Sequence, residues 1–459
     1  MKYIDFTPSA GMLINGKSKI FLMNDEELLT EIVAQNPWWR EKGIKLKENI
    51  IERSIFSRLK RELEKKEATV IVGLRRVGKT TLLKQLMDDL LKNGVKPERI
   101  LYFSFDAMKK EENIIKKMVS LYFNGILHET HEELKEKTYL FFDEVQKIKE
   151  WGEEIKSLYD RDLEIKFVAS GSSSMNILKG SGESLLGRSN IFKIHPFSFR
   201  EFLLYSGLKT EKLDLKNIKY PLHSEKIKIL FDKYMKLGGF PELYETEGNE
   251  LKSRIKTIID MTFYRDIVNI FEIKRSDVLE GLFYSFVKES GNVINYANLS
   301  NSLKTKFETL KTYIEYLNSS FLISKSYFFS NSKIKSFEKN VKIYVSDHSF
   351  SIIEEIEEGL KVETAVFNHC KTEGVELFYW QDKNKNEVDI LLKEEKSIKA
   401  IEVKYRERIT ESELKGLLGF LEKNKQKEGM VITKNILEKK NIVGKEILFV
   451  PAWLFLLAF

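Results

Sequence analysis

Gly73-Leu74-Arg75-Arg76-Val77-Gly78-Lys79-Thr80 fits the pattern G-x-x-x-x-G-K-[ST], and it stands in the context that pattern requires. Directly before it lies Ala68-Thr69-Val70-Ile71-Val72, a β-branched run without alternation, which reads as a strand buried on both faces. Directly after it, Thr80 to Asn93 reads as a helix. In that setting Gly73 and Gly78 let the backbone curl so that its N–H groups converge on a phosphate, and the helix N terminus adds a favourable dipole. The expected nucleotide contacts are therefore Gly73, Leu74, Arg75, Arg76, Val77, Gly78, Lys79, Thr80 and Thr81. Lys79 would reach the β- and γ-phosphates, and the Thr80 hydroxyl would be a Mg²⁺ ligand.

Working outward, three more apolar runs follow: Ile100 to Phe105, Thr138 to Phe142 and Ile165 to Ala169. Helical stretches such as Trp151 to Arg161 lie between them, so residues 68 to about 200 should form a parallel α/β sheet. The third run ends in Asp143-Glu144, where Asp143 would hold Mg²⁺ through water and Glu144 would polarise the attacking water as general base. The fourth ends in Ser170-Gly171-Ser172-Ser173, at the carboxyl edge where ligands of open α/β sheets bind. Ser170 or Ser172 would sense the γ-phosphate there, or else cap the next helix. In Leu185-Leu186-Gly187-Arg188-Ser189, Arg188 is the residue that could cross to a neighbouring subunit's γ-phosphate. The other reading of Arg188 is a surface salt bridge. Arg75 and Arg76 come into question for the same role.

Together these motifs resemble the AAA-class ATPases common in archaea and bacteria, whose ATPase core precedes a C-terminal domain of uncharacterised function. The resemblance covers roughly residues 50 to 459. It implies ATP as the nucleotide, its hydrolysis with Mg²⁺, and assembly into a homo-oligomer such as a hexameric ring.

A second constellation lies near the C terminus. Glu387-Val388-Asp389-Ile390-Leu391-Leu392 and Ile398-Lys399-Ala400-Ile401-Glu402-Val403-Lys404 read as neighbouring strands after a first one at Phe378-Tyr379-Trp380. Alternation puts Glu387 and Asp389 on one face, and Glu402 and Lys404 on one face of the neighbour. If the faces coincide, the carboxylates and the amine are a kit for metal-assisted phosphodiester hydrolysis. The pattern D-x₁₂-E-x-K resembles the restriction-endonuclease-like fold, and Glu363 on the preceding helix would match that fold's helical acid. A second metal site would then take Glu363, Asp389, Glu402 and Lys404. The plain alternative is a solvated hairpin whose charges merely pair with their neighbours.

Length and composition set the frame. A chain of 459 residues holds roughly three domains at ~150 residues each. A hydrophobic share of 42% against 32% charged excludes wholesale disorder. The net charge of +7 permits nucleic-acid contact without arguing for it. A single cysteine, Cys370, excludes an intramolecular disulfide and a cysteine-cluster metal site. The six histidines form no metal-spaced set. The longest apolar run, Phe449 to Phe459, is too short to span a bilayer, and Met1 to Met12 has no signal-like apolar region. A cytoplasmic protein with no membrane partner is expected.

The expected class is α/β: an AAA-type P-loop core with helices on both faces of a parallel sheet, a helical lid, a winged-helix segment and a nuclease-like α/β domain. The expected bounds are 1–65 for a mostly helical segment, 66–200 for the core and 201–270 for the lid. The winged-helix segment would be 271–338 and the nuclease-like domain 339–459. Within them, Ile50 to Leu59 reads as a helix, and Trp38 and Trp39 read as anchors for the N-terminal segment or as stacking groups for a partner. The third helix of the winged-helix segment would carry a capping box, Thr305 with Glu308, followed by a strand at Phe321 to Phe329. The functional expectation is an ATP-driven DNA transaction, gripped through Lys304, Lys306 and Lys311. The alternative is an ATP-gated protein-interaction switch with an inert nuclease-like scaffold.

Overall fold

The computed structural model describes residues 24–458 apart from 42, 47–49, 109–111, 131–133, 135, 173–184, 215–219, 331, 333–340, 355, 373 and 396. Ser173 and the expectations for the first residues therefore lie outside the described residues.

Five strands form one sheet in the order β2-β3-β4-β1-β5: β1 (Ala68–Val72), β2 (Ile100–Ser104), β3 (Thr138–Asp143), β4 (Ile165–Gly171) and β5 (Ser189–Lys193). Every pairing is parallel. The apolar runs became the strands read from them, because only a strand covered on both faces can bury Val70, Ile71 and Val72 in succession. β5 has no such run; it is an edge strand that buries Phe192 and exposes its alternate residues. This order brings the carboxyl ends of β1, β3 and β4 side by side, with Ile71 opposite Ser170 and Phe141 opposite Val168.

Helices α1 (Asp25–Gln35), α2 (Phe56–Glu62), α3 (Lys79–Lys92), α4 (Ile114–Tyr122) and α5 (Trp151–Tyr159) accompany this sheet. Trp38 and Trp39 are anchors: both indole N–H groups donate to the Ile100 carbonyl, at 3.2 and 3.0 Å. The helix expected from Ile50 starts only at Phe56. Arg53 accounts for the difference, since its guanidinium donates to Val77 O, His195 O and Glu201 Oε1, at 3.0, 2.9 and 2.8 Å, and those contacts hold the preceding chain out of the helix.

Beyond β5 come α6 (Phe199–Tyr205), α7 (Ser224–Leu237) and α8 (Gly248–Met261), which runs on through a wide turn at Thr262–Val268. Three more helices follow, α9 (Ser276–Lys288), α10 (Tyr296–Ser302) and α11 (Phe307–Ser319). α11 buries Leu310, Tyr313, Ile314 and Leu317, as its spacing predicts. Its capping box does not form. Lys306 is the N-cap and makes no side-chain cap, while Thr305 is drawn into the preceding turn by its backbone bond to Ser300 O at 3.1 Å.

The remaining strands build one mixed eight-stranded sheet in the order β12-β13-β11-β10-β9-β8-β6-β7. They are β6 (Ile323–Phe328), β7 (Lys342–Val345), β8 (Glu376–Gln381), β9 (Glu387–Lys393), β10 (Ile398–Val403), β11 (Glu428–Thr433), β12 (Glu438–Ile442) and β13 (Lys445–Pro451). The strand expected to close a winged helix is β6, and it pairs antiparallel with β7 and parallel with β8. The sheet thus runs across the expected boundary at 338/339. α12 (Glu358–Thr372), α13 (Lys415–Lys423) and α14 (Ala452–Phe455) pack on it. The apolar run at the C terminus is core: Trp453, Leu454 and Phe455 are buried. Among the described residues no helix is long and apolar enough to cross a membrane.

Candidate functional site

Each glycine of the loop between β1 and α3 has a physical reason. A Cβ on Gly73 would lie 2.3 Å from the Ile194 carbonyl oxygen, so no larger residue fits the close approach to the chain after β5. Gly78 has φ +95°, a left-handed conformation that favours glycine, and it starts α3 with no side-chain cap. The first N–H groups of a 14-residue helix are thereby left facing the loop, the arrangement that receives an anion. Leu74 and Val77 are buried and hold the loop to the core, and Thr81 lines the cavity over it. That cavity, about 540 Å³, is also lined by Arg75, Lys79, Thr80 and Glu144.

The Lys79 ammonium turns back onto the loop and donates to Gly73 O and Leu74 O, both at 2.9 Å. Burial pulls its pKa below the usual lysine range, against the opposing charges of Glu144 and Asp143. The Thr80 hydroxyl donates to Asp143 Oδ2 at 2.6 Å, across the gap between α3 and the end of β3. Asp143 collects two further hydroxyls: Ser170 donates to Oδ1, and Tyr102 donates to Oδ2 at 3.2 Å. Thr80, Asp143 and Ser170 therefore meet at the carboxyl edge.

Glu144 follows Asp143 in a left-handed conformation, φ +57°, which a non-glycine residue adopts at some energetic cost. That turn aims its carboxylate at the loop. The Gln146 amide donates to it and also to Ser172 Oγ, the latter at 2.9 Å. Burial pushes the Glu144 carboxyl up, against the pull of Lys79 and Arg75.

The two arginines of the loop pair with groups from beyond it. Arg75 is buried and grips Asp266, in the turn after α8, with two hydrogen bonds of 2.9 Å; its Nη2 is also 3.6 Å from Glu144 Oε2. Arg76, at φ +64°, pairs with Glu242. Arg188 lies elsewhere. Its carbonyl accepts the Ala68 N–H, which places it at the edge of the sheet opposite the loop, and its Nε donates to Asp160 Oδ1 at 2.7 Å. It does not reach its own chain's cavity.

Four participants were not singled out from sequence as site residues: Arg53, Tyr102, Gln146 and Asp266. Arg53 clamps Val77 O from outside the loop, and Asp266 lies 191 residues from Arg75. No periodicity encodes either contact. Gln146 stood in plain view two residues after Glu144.

The C-terminal carboxylates also converge. Glu363 on α12, Asp389 on β9 and Glu402 on β10 are all buried, so the solvated-hairpin reading does not describe them. Asp389 Oδ2 accepts the Val403 N–H at 2.8 Å, and Lys404 pairs with Glu402. Glu402 Oε2 has no hydrogen-bond partner among the described residues, and burial with the nearby Asp389 charge holds its carboxyl well above the usual range. Glu363 is pushed up to about 7 by burial and by Asp389. A residue the motif did not include, Lys342 on β7, is wholly buried between Glu363, Glu387 and Asp389.

Comparison with known proteins agrees with the loop. A model for an AAA domain matches residues 65–203, and models for two domains of unknown function (DUF8612 and DUF4143) match 228–352 and 358–454. The uncharacterized protein MJ1544 of Methanocaldococcus jannaschii is 30% identical over 342 residues, which cover 70% of this chain and 71% of that protein. This chain belongs to the same family. An uncharacterized protein of Haemophilus influenzae is 25% identical over 397 residues, 84% of this chain and 93% of its own length. Among solved structures, AMPPCP-bound DnaA from Aquifex aeolicus is similar at TM-score 0.30 and 16% identity, over 59% of this chain and 90% of that one. The family member described here carries an AAA-type domain with a parallel sheet ahead of a mixed-sheet C-terminal region.

Proposed function

We propose that this chain is a Mg²⁺-dependent ATPase whose turnover drives a DNA transaction. The observation that carries the reading is the meeting of Lys79, Thr80, Asp143 and Glu144 at one sheet edge, around a helix N terminus with no side-chain cap. Thr80 Oγ1 and Asp143 are hard oxygen donors already in contact, which fits magnesium, and they would hold it. Bound there, the ion would supply neutralisation of the charge developing on the phosphates.

The chain's own groups do the rest. Lys79 exchanges two carbonyls for phosphate oxygens. Ser170 and Tyr102 fix the rotamer of Asp143 by donating to both its oxygens. Glu144 accepts the proton of the attacking water, and its raised pKa favours that role. Arg188, held outward, would complete the site of a neighbouring subunit in a homo-oligomer.

The DNA reading draws support from the three-helix segment. A cavity of about 890 Å³ lies there, lined by Tyr296, Phe307, Lys311 and Tyr327. Phe307 is 42% exposed and Lys311 Nζ stands 4.4 Å from its ring centre. Lys304, Lys306 and Lys311 are all exposed beside it. Aromatic faces among lysines suit stacked bases and a phosphate backbone. We read residues 339–459 as a nuclease-like domain by its carboxylate-bearing strands.

The second reading, an ATP-gated interaction switch with an inert scaffold domain, is favoured by one observation: the Lys342 ammonium sits among Glu363, Glu387 and Asp389. ATP turnover measured with no nucleic acid and with single-stranded, duplex and branched DNA separates the two. Stimulation by any DNA supports the first, and turnover indifferent to all of them supports the switch.

A further inference from the structure

Lys342 opens β7, and its side chain is fully buried. Its Nζ lies 3.2 Å from Glu363 Oε1, 3.3 Å from Glu387 Oε1 and 3.1 Å from Asp389 Oδ1. An ammonium has three N–H donors, and three carboxylates from two other elements face it. Glu363 Oε1 also accepts the Tyr344 hydroxyl at 2.7 Å. The second amine, Lys404, is paired with Glu402.

We propose that Lys342 is the resident cation of Glu363, Glu387 and Asp389, so that these three carboxylates hold a lysine in place of a divalent metal. Going beyond the ATPase reading and independent of it, this assigns the cluster a role as an ionic joint between β7, α12 and β9. Distances argue for it first. Magnesium sits at about 2.0–2.1 Å from its oxygens, whereas these oxygens stand at 3.1–3.3 Å from Nζ. A metal held by these three carboxylates would have to draw them inward and evict a like charge from the same point.

Lys342 has nowhere to go. Its backbone is fixed on one side by pairing with Ser326 of β6 and on the other by a bridge to Val293, and its side chain has no solvent exposure. Eviction would leave an ammonium buried and unpaired, the costly way to break a buried ion pair. In keeping with this, among the described residues no group of three His, Cys, Asp or Glu is arranged to hold a metal ion. The joint also reaches the helical segment. Thr364, beside Glu363, shares a 2.8 Å hydrogen bond with Ser290 just after α9, and the Gly291 N–H donates to Ile343 O at 2.8 Å.

The test is Mn²⁺ uptake by the full chain without nucleotide, read by electron paramagnetic resonance and by the melting temperature. Thr80→Ala controls for ions held at the phosphate loop. Wild type and Asp389→Asn should take up Mn²⁺ alike, and Mn²⁺ should shift both melts equally. Lys342→Met, similar in length but uncharged, should gain one bound ion that Lys342→Met/Asp389→Asn lacks. Wild-type uptake, or a wild-type melting shift, that Asp389→Asn abolishes would overturn the inference. A folded Lys342→Met that gains no ion would overturn it too. If Lys342→Met does not fold, the wild-type and Asp389→Asn arms decide alone.

Discussion

Replacing Asp266 with asparagine removes one charge from the deepest ion pair around the phosphate loop. The Asp266 side chain is 1% exposed and that of Arg75 8%. Burial works against the Arg75 charge, and the bond and charge of Asp266, together with the charges of Glu144 and Asp106, outweigh it. Breaking a buried pair from one side costs ~3–5 kcal/mol. Asparagine keeps one acceptor, and Glu144, 3.6 Å from Arg75 Nη2, takes up part of the stranded charge, so the low end applies, ~3 kcal/mol. At ~2–4 °C per kcal/mol for a unit of this size, the melting midpoint should fall by about 6–12 °C. Arg75→Met supplies the second corner of a cycle. With both partners gone no buried charge is stranded, so the double variant should be more stable than the sum of the single effects by ~1–3 kcal/mol. Differential scanning calorimetry of the four proteins measures this. A shift below ~2 °C for Asp266→Asn, against the scale just given, or strict additivity in the cycle, would refute the claim that Arg75 and Asp266 bind the loop to the turn after α8.

Two further outcomes follow from the same geometry. Arg188→Ala should slow hydrolysis only in assembled protein and barely alter stability, since its pair with Asp160 is solvent-exposed. Mixing it with Lys79→Ala protein should restore some turnover, and no recovery in a verified mixed oligomer counts against action between subunits. Lys166, in β4, has its pKa lowered to about 8 by burial. The folded chain releases that proton near pH 8, while the unfolded chain keeps it to about 10.4, so between those values the unfolded state binds more protons and stability rises with pH. Lys166→Met should flatten that rise and raise the midpoint at pH 7; an unchanged pH profile in urea titrations would contradict it.

What could be read ahead of the structure was local. The loop from Gly73 to Thr80, the strand before it and the Asp143-Glu144 pair need only short-range pattern, because a buried strand and a phosphate-binding turn are each fixed by a few consecutive residues. Parity grouped Asp389, Glu402 and Lys404, and the chain places Asp389 against the Val403 N–H and Lys404 against Glu402. The contacts that failed to show were long-range choices of partner. Arg53 looks like one residue of an apolar helix until Val77 O and His195 O claim its donors. Thr305 carries a cap signature, yet a turn bond to Ser300 takes it out of position. Lys342 lies in Val341-Lys342-Ile343-Tyr344, where a lysine reads as a solvated face. Only the neighbouring strands and α12 turn that position inward.

The central claim is that Glu144 activates water over nucleotide held by Lys79 and Thr80. Steady-state turnover and ATP affinity of wild type and Glu144→Gln, measured on the same preparations, test it most directly. Glu144→Gln should bind ATP as tightly as wild type and hydrolyse it ~10²–10⁴-fold more slowly, the usual weight of a general base. Turnover within a few-fold of wild type would contradict the account.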